Sequence, residues 1–244
     1  MKISKIILYN EPTVPEIQLK RLEKFLIETF PVKIEIRGNI FSDASDEALE
    51  KIANTRIFDL KKPFEKQTKY TSENNKMILY DGFEFHKIVT ELIPINENKI
   101  DILHIIFTNK LTCTFDENDF RYHARSLIGS NPAIISTTGM IEAPAKPKQY
   151  YLDLMTNFSE ERIDKVKKKY KGQFLEEHDL RLSEIAEGYL LQAIMYYETG
   201  DAFCEDGDCR LFNAHWQKDL FHSQIDNKNL CKKHQEILNQ FKQN

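Results

Sequence analysis

Three of the chain's four cysteines lie between Asp201 and Leu238, spaced Cys204-x4-Cys209-x21-Cys231-x2-His234. A zinc ion in a structural site takes four soft or borderline ligands in a tetrahedron, and two short-spaced pairs from separate segments supply that geometry. The first pair brackets Glu205-Asp206-Gly207-Asp208, a turn-prone spacer whose glycine frees the backbone to bring both sulfurs inward. Cys231 and His234, three apart, reach one metal from a single helical turn or a tight knuckle. The pattern reads as a closed Cys3His zinc site with Cys204, Cys209, Cys231 and His234 as ligands. His215 is a rival fourth ligand and His222 a weaker one, and ordinary buried thiols are the alternative to any metal. Phe212, Trp216 and Leu220 recur at i, i+4 and i+8, which predicts a helix after Cys209 with these side chains on its buried face.

A site of this kind needs a core to clamp, and 244 residues with 41% hydrophobic and 30% charged content provide one substantial core in a soluble, globular chain. A net charge of -4 carries no electrostatic footprint for nucleic acid. The one basic run, Lys165, Lys167, Lys168, Lys169 and Lys171, reads as a solvated helix face, with anion binding as the alternative. No stretch approaches the roughly 20 apolar residues that cross a bilayer, and MKISKIILYN has neither the apolar run nor the cleavage site of a signal peptide. With three cysteines committed to metal, Cys113 has no disulfide partner, and the expected location is a reducing cytoplasm.

Along the chain, the β-branched run Ile3 to Tyr9 predicts a buried strand. Thr13-Val14-Pro15-Glu16 reads as a helix start with a capping box, Ile17, Leu22, Phe25, Leu26 and Phe30 as its core face, and Pro31 as its stop. Val32, Ile34 and Ile36 alternate with charged residues, so a second strand follows and the opening is βαβ. Asp46 to Ala53 patterns as a helix, Leu60 to Asn75 as loop, and Met77 to Tyr80 as a strand with Asp81-Gly82 as a hairpin turn; Phe83 to Leu92 fits no one period. Ile100 to Phe107 predicts a strand buried on both faces, His104 being a hydrogen-bonded core residue and Leu111 to Phe115 pairing beside it. Phe120 to Gly129 reads as a polar loop leading into a strand, Ala133 to Thr138, ended by Gly139; the two form either a cleft wall or a surface connection. Ser159 caps a helix with Glu160 and Glu161 in its first turn and Gly172 at its end. The longest helix is expected from Glu176 to Glu198, with Gly200 turning the chain into the first cysteine pair.

This order of elements and the cysteine spacing resemble the archaemetzincin family of zinc metallopeptidases in a divergent form. In that family a βαβ opening leads to a strand bordering the cleft, then to a helix bearing HExxHxxGxxH, whose last histidine directly precedes a CxxxxC pair. The run CRLFNAHWQ, Cys209 to Gln217, also resembles an archaeal family of metallopeptidase-like proteins. The resemblance implies an α/β (α+β) fold spanning 1–244, a zincin-like mixed sheet over 1–140 and a helical part over 150–244 clamped by structural zinc.

The catalytic motif departs from the family pattern. HExxH is absent: Leu182 stands four after His178, Ser183-Glu184-x-x-Glu187 keeps only the glutamate, and Phe203 replaces the last histidine. The residues that could rebuild a site, a second metal included, are His178, Glu184 and Glu187 on or at the start of the long helix and His123 from the preceding loop. Arg181 is an ion-pair partner for the two glutamates. The chain is therefore expected to be a metallopeptidase-like protein with structural zinc and a degenerate or rebuilt catalytic site. The alternatives are a non-catalytic protein whose cleft holds a peptide or protein, and a thiol hydrolase using Cys113 and His123.

Overall fold

The computed structural model describes residues 1–68, 77–157 and 159–243. Its first unit is strand β1 (Lys5–Tyr9), helix α1 (Leu19–Thr29) and strand β2 (Lys33–Arg37), with β1 and β2 paired in parallel as the expected βαβ opening. Next come α2 (Asp46–Asn54), β3 (Arg56–Ile57), β4 (Leu79–Asp81) and α3 (Gly82–Glu91). Strands β5 (Ile102–Thr108), β6 (Leu111–Asp116), β7 (Arg121–Arg125), β8 (Leu127–Ile128) and β9 (Ala133–Ser136) follow. The rest is helical: α4 (Thr137–Glu142), α5 (Lys148–Met155), α6 (Glu160–Lys169), α7 (Leu182–Thr199), α8 (Gln217–Phe221) and α9 (Lys232–Gln243).

The strands form two mixed sheets, a five-stranded one in the order β2-β1-β5-β9-β8 and a four-stranded one in the order β3-β4-β6-β7. In the larger sheet β8 alone runs antiparallel, against β9, and it forms one edge, β2 forming the other. Alternation sorts the residues of β1 and β5 between two cores. Ile6, Leu8, Leu103, Ile105 and Phe107 face α1 and α7, while Ile7, Tyr9 and Ile106 face Phe85 and Val89 of α3. Helix α7 is buried on nearly all sides from Leu182 to Met195, so it is the central support of the first core rather than a surface helix.

Several expectations shift. Helix α1 starts at Leu19, and Thr13 spends its hydroxyl on Glu11 Oε1 at 2.8 Å instead of capping a helix. Asp81 caps α3 by accepting from the backbone of Phe83 and Glu84, so Asp81-Gly82 is a helix start and not a hairpin turn. Leu111 to Phe115 does not pair beside β5; it lies in the second sheet between β4 and β7. The polar run after Phe120 is not a loop, because Arg121, His123 and Arg125 alternate along β7 with Tyr122 and Ala124. Strand β9 ends at Ser136, whose hydroxyl accepts from Gly139 N at 2.8 Å to start α4. Helix α7 begins at Leu182 rather than Glu176, and the helix expected over Phe212 to Leu220 is only α8, with Trp216 before its first turn. Within the polar stretch from Leu60, Phe64–Lys66 forms a 3-10 turn, and 69–76 lie outside the described residues. His104 is the hydrogen-bonded core residue expected, with Tyr9 Oη at 3.0 Å from Nδ1 and Glu97 O at 3.1 Å from Nε2.

Candidate metal centre and cleft

Gly200 closes α7 in the left-handed conformation, φ 81°, and sends the chain back toward the helix it has just left. Cys204 N then donates to Leu211 O at 2.8 Å, and Asn213 N donates to Cys204 O at 3.3 Å, which folds the segment around the first two cysteines. Between them Asp208 N donates to Asp206 Oδ1 at 3.0 Å and Cys209 N to Asp206 O at 3.0 Å, a knuckle that turns both sulfurs to one side. The second pair arrives on α9, where Gln235 N donates to Cys231 O and His234 is buried one turn in.

The four side chains converge, with all ligand atoms within 4.8 Å of one another. Zn–S bonds of about 2.3 Å and Zn–N bonds of about 2.0–2.1 Å imply tetrahedral edges of about 3.8 Å between sulfurs and about 3.5 Å from sulfur to nitrogen. Cys204 Sγ to Cys231 Sγ is 3.9 Å, Cys209 Sγ to His234 Nδ1 is 3.6 Å, and Cys231 Sγ to His234 Nδ1 is 3.1 Å. Two edges match and the third is short by about half an ångström, so the donor set fits zinc. Four protein ligands leave no open position, as in a structural site, and the metal would join the end of α7 to α9. Burial and the Lys233 charge hold the His234 imidazole below its ordinary range, which keeps it neutral, as a ligand must be. Burial raises the Cys209 thiol. Burial raises the Cys231 thiol too, but the backbone N–H of His234 and the neighbouring thiols outweigh it and the net shift is downward. The rival ligands stand elsewhere: His215 is exposed, and His222 Nε2 pairs with Asp208 at 2.6 Å.

A second feature lies between the open edge of the larger sheet and α7. There a cavity of about 380 Å³ is walled by Leu127, Ile128 and Gly129 on one side and Tyr189, Gln192 and Tyr196 on the other. Phe83, Tyr196 and Phe203 are large aromatic side chains left exposed on its walls. Tyr196 packs directly on Gly129, where a Cβ would stand 2.8 Å from the ring.

The family model described as a probable metallopeptidase family, DUF6775, matches residues 2–241. The chain belongs to this family. A solved structure, the zinc-dependent peptidase from Methanocorpusculum labreanum strain Z, matches with a TM-score of 0.50 over 96% of this chain and 99% of that one, at 10% identity. At that identity the likeness shows the fold. No curated protein matches the chain.

For a DUF6775 member, the placement of the candidate catalytic residues matters most. His178 is not on α7; it sits in the preceding turn at φ 62°, exposed, with Nδ1 2.9 Å from Glu16 Oε1. Glu187 is buried, accepting from Arg21 Nε and from an Arg210 terminal nitrogen, each at 2.8 Å. Glu184 pairs with Lys228 and stands 3.9 Å from Arg21. Arg181 is not their partner; it pairs with Asp179. His123 lies on β7 with Nε2 2.9 Å from Asp119, and it forms an exposed-side group with Asp119 and Asp116. Each of the four therefore has its own partners. Cys113 and His123 cannot form a catalytic pair, because Cys113 faces Ala124 across the ladder while His123 faces Thr114, so the two side chains leave opposite faces of the sheet. Burial, with Asp81 adding to it, pushes the Cys113 thiol up to about 12.

Besides the frames at His178 and Ser183, the motif has a third, the one that puts Phe203 in the place of the last histidine. Anchored on Phe203, next to Cys204, the motif places its ligands at Ala193, Tyr197 and Phe203, its glutamate at Ile194 and its glycine at Gly200. The glycine alone is kept. Ala193 and Ile194 are core residues, and Tyr197 Oη donates to Ile100 O at 2.8 Å. The signal was the distance from Cys204, readable without any histidine.

Proposed function

We propose that this DUF6775 member keeps the peptidase fold and a structural zinc, and uses its cleft to hold an extended peptide without hydrolysing it. The observation that carries the reading is the apolar cavity along β8. A strand at a sheet edge offers unpaired N–H and C=O groups that an extended peptide can pair with, while adjacent pockets take its side chains. Among the described residues, none of the groups that could hold a metal lies on this cavity; the two found are the Cys3His cluster and the Asp116, Asp119 and His123 group. Hydrolysis by a zincin needs ligands and a general base at the cleft. The matching order of elements, Gly200 and the cysteine spacing support a closer kinship with archaemetzincins. Four free cysteines, three of them in the metal cluster, suit a reducing cytoplasm. Among the described residues no helix is long and apolar enough to cross a membrane.

Metal stoichiometry tests the reading, by elemental analysis of protein purified without added metal, alongside mass spectrometry of incubated peptide mixtures. One zinc per chain in the wild type, none in Cys204→Ser, and intact peptides is the expected result. Two metals with one surviving Cys204→Ser, and new peptide termini, would establish a rebuilt hydrolytic site instead.

A further inference from the structure

Among the described residues the cleft wall has one cation. Of the twenty residues lining the cavity, Arg125 alone carries a permanent charge, and the others are apolar, aromatic or neutral polar side chains and His215. Arg125 is held on the wall, its Nε donating to Thr114 Oγ1 at 2.7 Å. That bond fixes the guanidinium plane and uses only one of its five N–H donors. The backbone is fixed as well: the Arg125 carbonyl accepts from Thr112 Oγ1 at 3.2 Å, and Arg125 pairs with Thr112 across the β6–β7 ladder. Among the described residues no carboxylate stands within 4.0 Å of Arg125, whereas five of the seven other arginines, Arg21, Arg37, Arg121, Arg181 and Arg210, pair with acids; Arg56 and Arg162 do not, and neither lines the cavity. A preorganised guanidinium in an apolar cleft favours a planar oxyanion, which it can bind through two parallel hydrogen bonds. Arg125 also directly precedes the Ser126–Gly129 segment that forms the open edge, so it stands at one end of the line an extended peptide would follow.

We infer that the cleft selects an extended peptide carrying a carboxylate beside an apolar or aromatic residue, the carboxylate meeting Arg125 and the apolar side chain entering the cavity between Ile128 and Phe203. This rests on the peptide-binding reading of the cleft. The aromatic rim supplies affinity for the side chain but no choice among charges. Arg125 supplies the choice, because burying it against a neutral residue strands its donors, whereas an acid satisfies them.

Fluorescence polarisation with two labelled hexapeptide pools tests the inference: one fixes Glu next to Phe, the other fixes Gln at the same place. The wild type should bind the Glu pool about ten-fold tighter, Arg125→Gln should remove that preference without weakening the Gln pool, and Phe203→Ala should weaken both pools. Phe203 is 41% exposed, so its truncation leaves the fold intact; a thermal melt of Arg125→Gln within a few degrees of wild type shows that this variant folds. Equal affinity for the two pools, or a preference that survives Arg125→Gln, would overturn the role of Arg125 while the Phe203 effect leaves the cleft reading standing. No binding, or binding indifferent to Phe203→Ala, would overturn the cleft reading and this inference with it.

Discussion

Arg210, the residue after Cys209, reaches across to Glu187 on α7 and donates to its carboxylate at 2.8 Å, with both side chains about nine-tenths buried. The pair fixes the metal knuckle against the helix it follows, and Arg210 also lies over the Phe25 ring at 5.1 Å. Among the described residues its Nε has no hydrogen-bond partner, and Glu187 is the one carboxylate paired with it. Glu187→Ala should therefore cost about 3–5 kcal/mol of unfolding free energy in denaturant titrations, the usual penalty for orphaning a buried charge. Glu187→Leu with Arg210→Met should recover most of that loss, since an apolar pair leaves no charge stranded. A single variant of wild-type stability would remove the pair as a support of the knuckle.

Zinc should be the larger support. Chelation, or Cys209→Ser, should lower the melting temperature sharply and release the end of α7 from α9, because a structural zinc contributes on the order of several kcal/mol to folding. His234→Ala should lose the metal as well, whereas His215→Ala should retain one zinc per chain, since His215 is exposed and lines the cavity. Retention of zinc by His234→Ala would mean that another group completes the site.

Local pattern revealed much of this molecule and tertiary context hid the rest. The βαβ opening and β5 were readable because strict alternation and an unbroken apolar run leave little choice of face. Cys204, Cys209, Cys231 and His234 were readable as a group because two short spacings specify a geometry. Strand β7 was missed because its outward residues, Arg121, His123 and Arg125, are polar and its inward ones are few, a composition that imitates a loop. The roles of Glu184 and Glu187 were hidden for another reason. Their partners, Arg21, Arg210 and Lys228, are supplied by distant segments, and no spacing along α7 reveals them.

Two histidines, His104 buried and His86 half-buried, set a dependence on pH. His104 and His86 are held below the ordinary imidazole range, in both cases chiefly by burial. The unfolded chain protonates them near pH 6.5, about the free imidazole value, while the folded chain resists until lower pH. Between those limits the unfolded state binds more protons, so stability is complete above about pH 6.5 and is lost as pH falls through the folded values. Melting temperatures at saturating zinc should be level down to about pH 6.5 and then decline, more shallowly in His104→Gln than in the wild type. Identical slopes for the two proteins would exclude His104 as a contributor.

Gly139 controls where Arg125 stands. A Cβ at this position would lie 2.3 Å from the Arg125 carbonyl oxygen and 2.9 Å from Ser126 Cα, so α4 rests directly on the backbone joining β7 to β8. Neither atom can swing aside as a side chain would, since Thr112 Oγ1 holds the Arg125 carbonyl and Ser136 N holds Ser126 O at 2.8 Å. Gly139→Ala must push the strand link off the helix, at a cost of about 1–3 kcal/mol by analogy with overpacked cores. The displacement falls on the cleft and not on the metal centre. The variant should therefore melt lower and lose its preference for the Glu peptide pool while keeping one zinc per chain; loss of zinc instead would mean that the cleft and the metal centre move together.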